Sequence, residues 1–98
     1  MRRIEAIAQL RRHAVPVRAF GATSLYLFGS AARDEAQPGS DLDLFVDYDS
    51  GSRFNGFDLV GIKQYLEQAL GIDVDVTTRD GLHSMLRSEI ERSAIRVF

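Results

Sequence analysis

The chain has 98 residues, no cysteine and a formal charge of −2 at pH 7. That length suits one compact domain spanning residues 1–98, and the missing cysteines exclude a disulfide framework or thiolate metal site and suit a reducing, cytoplasmic setting. The acidic balance argues against a general nucleic-acid-binding surface, no apolar run approaches the ~20 residues that span a bilayer, and the charged N-terminus does not read as a signal peptide.

Residues 2–13 place Ile4, Ile7, Ala8 and Leu10 on one side of an amphipathic helix. Pro16 is suited to open a second short helical stretch running to Phe20, with Gly21 as its stop. Residues 24–28, Ser-Leu-Tyr-Leu-Phe, read as a buried strand ending at Gly29. Residues 30–36 form a short helix, closed by the breaker Pro38-Gly39. Residues 41–48 alternate as a second strand: Leu42, Leu44 and Val46 share one face, and Asp41, Asp43, Phe45 and Asp47 the other.

From about 57 to 70, Leu59, Ile62, Leu66 and Ala69 recur at helical spacing, with Gly71 as C-cap. Residues 72–78 are a third strand, with Asp73, Asp75 and Thr77 on its polar face. A last helix over 82–92 turns Leu82, Met85 or Leu86, and Ile90 inward, and the tail 94–98 adds an edge strand or packs on the core. This order predicts an α/β (α+β) two-layer sandwich, a small mixed sheet of three to four strands covered by helices. The short connection between the first two strands favours an antiparallel pair, and the helix between the second and third suits parallel neighbours.

Two local features carry chemistry. Gly29-Ser30 stands at a strand-to-helix junction, where a glycine lets a ligand approach the backbone and the helix start offers free N–H donors to phosphate. By itself the pair reads as a common helix cap. Asp41 and Asp43 are residues i and i+2 of a strand, so both carboxylates point the same way and can converge on a hard cation. Taken alone, Asp41 reads as a turn residue and Asp43 as solvent-facing. A carboxylate on a neighbouring third strand would complete a three-ligand site suited to two-metal phosphoryl transfer. Asp75, flanked by Val74 and Val76, is the candidate, and Asp73 beside Gly71 reads as an exposed strand start.

The run from Leu27 to Arg33 and that from Ser40 to Val46 are separated so that ten residues lie between Ser30 and Asp41. Together with Val74-Asp75-Val76 they resemble the minimal nucleotidyltransferase (MNT) family of the DNA polymerase β-like superfamily, over nearly the whole chain. The resemblance implies Mg²⁺-dependent transfer of AMP from ATP, with two ions held by Asp41, Asp43 and Asp75. It implies terminal phosphates on Gly29 and Ser30, and Arg33 as a phosphate or partner contact. It further implies an antitoxin that modifies a tyrosine of a HEPN-domain toxin, in a homo- or hetero-oligomer. One departure stands out: where the family usually has glycine, this chain has Asp34, an acidic residue that could weaken triphosphate binding.

Two other readings remain at this level: a non-catalytic module that neutralises its partner by binding, and a nucleotidyltransferase acting on a small molecule. The chain's length favours an acceptor presented by a second macromolecule. Among the other polar residues, His13 and His83 read as isolated, Tyr26 as core, Tyr48 as strand edge and Tyr65 as helix packing. Asp47 and Asp49 read as a solvated rim.

Overall fold

The computed structural model describes all 98 residues. In chain order the elements are α1 (Arg3–Arg11), α2 (Ala14–Ala19), β1 (Ala22–Phe28), α3 (Gly29–Ala32), β2 (Leu42–Tyr48), α4 (Gly56–Leu70), β3 (Val74–Thr78), a 3₁₀ turn (Arg79–Gly81), α5 (Arg87–Ser93) and β4 (Ile95–Arg96). The sheet order is β3-β2-β1-β4. β1 runs antiparallel to β2 and to β4, while β2 and β3 are parallel. The expected mixed sheet is therefore present, and the C-terminal tail supplies its fourth strand.

The alternation read in the sequence sets the two faces of this sheet. Leu25 and Leu27, Leu42, Leu44 and Val46, and Val74 and Val76 form one apolar face. Ala6 and Leu10 of α1, Val17 of α2, and Ile62 and Leu66 of α4 pack on it. α4 makes the crossover that parallel strands require. Asn55 starts it with a capping box: its Oδ1 accepts from the Phe57 and Asp58 N–H groups, and Asp58 accepts from the Asn55 N–H. Gly71, in the left-handed region at φ 71°, ends it.

Four details of the sequence reading are corrected. Ile4 is 75% exposed and Ala8 is exposed, because the buried stripe of α1 runs through Ala6, Ile7 and Leu10. The short helix ends at Ala32, well before Pro38. Asp34 takes φ 60°, the Asp34 N–H donates to Ala31 O and the Glu35 N–H to Ser30 O, so a Schellman turn closes the helix.

The last helix starts at Arg87 rather than 82. Met85 and Leu86 point outward, 85% and 50% exposed, because the chain leaving β3 first makes the 3₁₀ turn and buries only Leu82 there. Finally, Asp47 is part of a polar knot and not a solvated rim. Arg79 Nε and Nη2 donate to its two carboxylate oxygens at 2.7 and 3.0 Å, and Arg79 Nη1 donates to Glu91 at 2.7 Å. The guanidinium also lies 4.8 Å over Tyr26 and 4.9 Å over Phe45, whose rings stack at 4.7 Å. This knot covers the sheet face opposite the helical layer, at the end away from Asp43.

Candidate active site

The uncovered end of that second face carries the aspartates. Asp43 pairs in register with Phe28 of β1 on one side and with Asp75 of β3 on the other. Neighbouring strands lie about 4.8 Å apart, so Asp43 and Asp75 stand side by side on one face. Asp41 immediately precedes β2, two residues before Asp43, and Asp73 immediately precedes β3. Asp43 is half-buried, while Asp41, Asp73 and Asp75 are exposed.

The β1–α3 junction closes over this group. Gly29 has φ 73°, and a Cβ at that position would be driven into the Asp43 carboxylate. Glycine is needed there on both counts, for the backbone conformation and for the close approach of Asp43. Ser30 follows in the first turn of α3, half-buried, where N–H groups lack intrahelical acceptors. Arg33 is exposed at the end of α3 and its Nε donates to Glu35 at 3.1 Å.

Hydrogen bonding separates these aspartates from the others. Asp34, Asp47, Asp49, Asp58 and Asp80 all accept hydrogen bonds from within the chain. The carboxylates of Asp41, Asp43, Asp73 and Asp75 accept none. Burial raises the pKa of Asp43, and the negative charges of Asp75 and Asp41 raise it further, with Arg33 as a partial offset. The group is thus a concentration of negative charge that is only partly compensated. In this side-chain arrangement no three acidic or histidine groups close on a single point; the backbone gathers them on one patch of sheet.

Asp34 is tied elsewhere. Its carboxylate accepts the Arg3 backbone N–H at 2.9 Å and lies 3.9 Å from the Arg2 guanidinium. It caps the start of α1, and its left-handed backbone accounts for the suitability of glycine at this position. Its charge is directed toward α1.

Several polar contacts escaped the sequence reading. His13 is not isolated: its Nδ1 and the Tyr65 hydroxyl are hydrogen-bonded at 2.8 Å. Arg79 carried no local signal. Lys63 and Glu67 stood at the i,i+4 spacing of a helical ion pair, a signal that was present but silent about their contacts with β3.

A β-sheet with a glycine-led helix start set over paired aspartates defines a nucleotidyl-transferring class of protein. The nucleotidyltransferase domain family matches residues 9–97, and the chain belongs to it: it is a nucleotidyltransferase. MJ0435 of Methanocaldococcus jannaschii, assigned as a protein adenylyltransferase, is 35% identical over 92 residues, covering 93% of this chain and 97% of that one. The protein adenylyltransferase MntA of Thermococcus cleftensis is 32% identical over 78 residues, covering 80% and 77%. A solved structure assigned as a minimal nucleotidyltransferase superposes with a TM-score of 0.78 at 36% identity, covering 97% of this chain and 95% of that one. The fold is also shared, at 19% identity and a TM-score of 0.63, with a chain from a complex of a tri-AMPylated Shewanella oneidensis HEPN toxin with its MNT antitoxin, covering 90% and 68%.

Proposed function

We propose that this nucleotidyltransferase transfers AMP from ATP to a tyrosine hydroxyl of a HEPN-type toxin partner, in a Mg²⁺-dependent reaction that neutralises the toxin. The observation that carries the reading is the group of unpaired carboxylates on one patch of sheet. Asp43 and Asp75 are in register and Asp41 lies two residues before Asp43, beside the Gly29-Ser30 helix start.

That donor set, all oxygen and all anionic, suits hard divalent cations such as Mg²⁺ and Mn²⁺. Asp41, Asp43 and Asp75 are the residues that would hold Mg²⁺ beside the triphosphate. Bound there, Mg²⁺ would neutralise the triphosphate and the departing pyrophosphate and favour deprotonation of the attacking hydroxyl. Gly29 leaves the backbone open to the terminal phosphates, and the Ser30 hydroxyl donates to them. Arg33, exposed at the rim, serves the phosphates or the partner protein. The acceptor oxygen attacks the α-phosphorus as its bond to the β-bridging oxygen breaks, and the hydroxyl proton passes to Asp75 or to solvent. No side chain of the site forms a covalent intermediate; the protein positions and stabilises charge.

Two relatives named protein adenylyltransferases support a protein acceptor, and the likeness of fold to an antitoxin seated on an AMPylated HEPN toxin supports the partner class. The test is incubation of the chain with α-³²P-ATP, MgCl₂ and the protein encoded beside it. Label is expected on that neighbour and absent with the Asp41→Asn/Asp43→Asn double variant. Label on no protein, or undiminished label with the double variant, overturns the proposal.

A further inference from the structure

β3 is an edge strand, with β2 on one side only. The Leu42 N–H donates to Asp73 O across that inner side. In a strand, successive backbone groups alternate in direction, so the N–H and C=O of Val74 face away from β2, where an edge strand is left unpaired. Both are nonetheless satisfied. Lys63 Nζ donates to Val74 O at 2.6 Å, and the Val74 N–H donates to Glu67 Oε2 at 3.1 Å. Lys63 and Glu67 are themselves bonded at 2.9 Å, one turn apart on α4. The two side chains therefore close a ring with a single residue of β3, the one immediately before Asp75.

We propose that Lys63 and Glu67 are positioning residues: their clip on Val74 sets the height of β3 along β2 and so holds Asp75 opposite Asp43. The proposal rests on the reading of Asp75 as a metal-holding carboxylate. A one-residue slip of β3 would turn Asp75 to the apolar face, and β3 has only five residues to resist it. The ladder to β2 fixes one side of the strand, and the clip fixes the other from a 15-residue helix anchored in the core by Ile62 and Leu66. Lys63 has a second effect. It is the chain's only lysine, and its hydrogen bond to Glu67 raises its pKa, with Asp73 and Asp75 contributing through their charge. A cation thus stays within electrostatic reach of Asp75 without occupying its carboxylate.

The test uses the whole chain and Mn²⁺ as probe, its binding followed by water-proton relaxation. Amide exchange at Val74 and the thermal midpoint are measured on the same samples. Glu67→Ala is expected to weaken Mn²⁺ about 10-fold, as supporting groups around a metal site do, Lys63→Met by less because loss of its charge near Asp75 offsets part of the effect, and both to speed exchange of the Val74 amide. Glu67→Gln keeps an oxygen that accepts the Val74 N–H and restores most of the affinity. Gln64→Ala, exposed on the same helix, controls for helix stability alone, and Asp75→Asn is run in parallel. A midpoint that falls while Mn²⁺ affinity holds, with Asp75→Asn binding poorly, overturns the clip and leaves the role of Asp75 standing. Normal Mn²⁺ binding by Asp75→Asn overturns that role, and the clip then has nothing to position. If Glu67→Ala does not fold, Lys63→Met and Glu67→Gln decide the matter between them.

Discussion

Asp43 and Asp75 are register partners across the parallel β2–β3 pair, and neither carboxylate accepts a hydrogen bond from the chain. The burial of Asp43, with repulsion from Asp75 added to it, raises the Asp43 pKa. A raised pKa in the folded state means that its contribution to stability is full below the unfolded value and is lost as pH rises through the folded value. Ionised Asp43 therefore works against folding at neutral pH in metal-free protein. Asp43→Asn is expected to raise the thermal midpoint of the metal-free chain at pH 7.5 and to cut nucleotide transfer by at least about 10²-fold. Calorimetry beside a labelling assay checks both. A lowered midpoint would show that the charge is compensated.

Gly29 makes room for Asp43. Gly29→Ala places a Cβ against that carboxylate and forces a left-handed backbone on a residue that resists it. A loss of about 1–3 kcal/mol in urea unfolding is expected, together with loss of transfer. An alanine variant with wild-type stability would mean that the junction relaxes freely.

Asp34 holds two opposed effects, a strained φ of 60° and a cap on α1. Asp34→Gly relieves the strain and removes the cap, so its stability should lie within about 1 kcal/mol of the parent. Asp34→Ala removes the cap and keeps the strain, and should lose about 1–2 kcal/mol. Parallel urea titrations measure the difference between the two variants.

Arg79 joins Asp47, Glu91, Tyr26 and Phe45. Arg79→Met leaves the half-buried Asp47 carboxylate unpaired and Glu91 with Arg87 alone, and a loss of about 2 kcal/mol is expected, less than for a fully buried pair because solvent screens part of it. Arg79→Lys should recover little, since an ammonium cannot fork to both Asp47 oxygens while also reaching Glu91 and the two rings.

The same knot predicts a pH effect. The hydrogen bond from Arg79 lowers the pKa of Glu91, and the charge of Arg87 adds to this. A depressed pKa gives stability that is present above the unfolded value of 4.5 and is lost as pH falls through the folded one. Glu91→Gln should therefore flatten the decline in thermal midpoint below about pH 4.5. An unchanged acid limb would place the titration elsewhere.

The parts of this fold that were legible in the sequence are those written in local period. Leu42-Asp43-Leu44 alternates because a strand turns each residue to the opposite face, and Ile62 and Leu66 lie one turn apart because a helix brings them to the same side. Gly71 and Gly21 marked their ends correctly, as both take positive φ. The start of α5 differs because Leu82, Met85, Leu86 and Ile90 fit a helical stripe, yet of these only Leu82 is buried. Periodicity alone does not say whether anything lies opposite.

By themselves, the residues in order determined the strand–helix–strand framework, the antiparallel and parallel pairings and the polar parity of Asp41, Asp43 and Asp75. Tertiary structure decided which charges are spent on one another. Asp47 and Arg79 are 32 residues apart, Arg3 and Asp34 are 31, and Lys63 reaches Val74 across 11. An aspartate looks the same in the sequence whether it meets an arginine or not. Only the closed fold, by pairing Asp34 and Asp47 and leaving Asp43 and Asp75 without partners, separates the acids that hold the protein together from those free to hold a ligand.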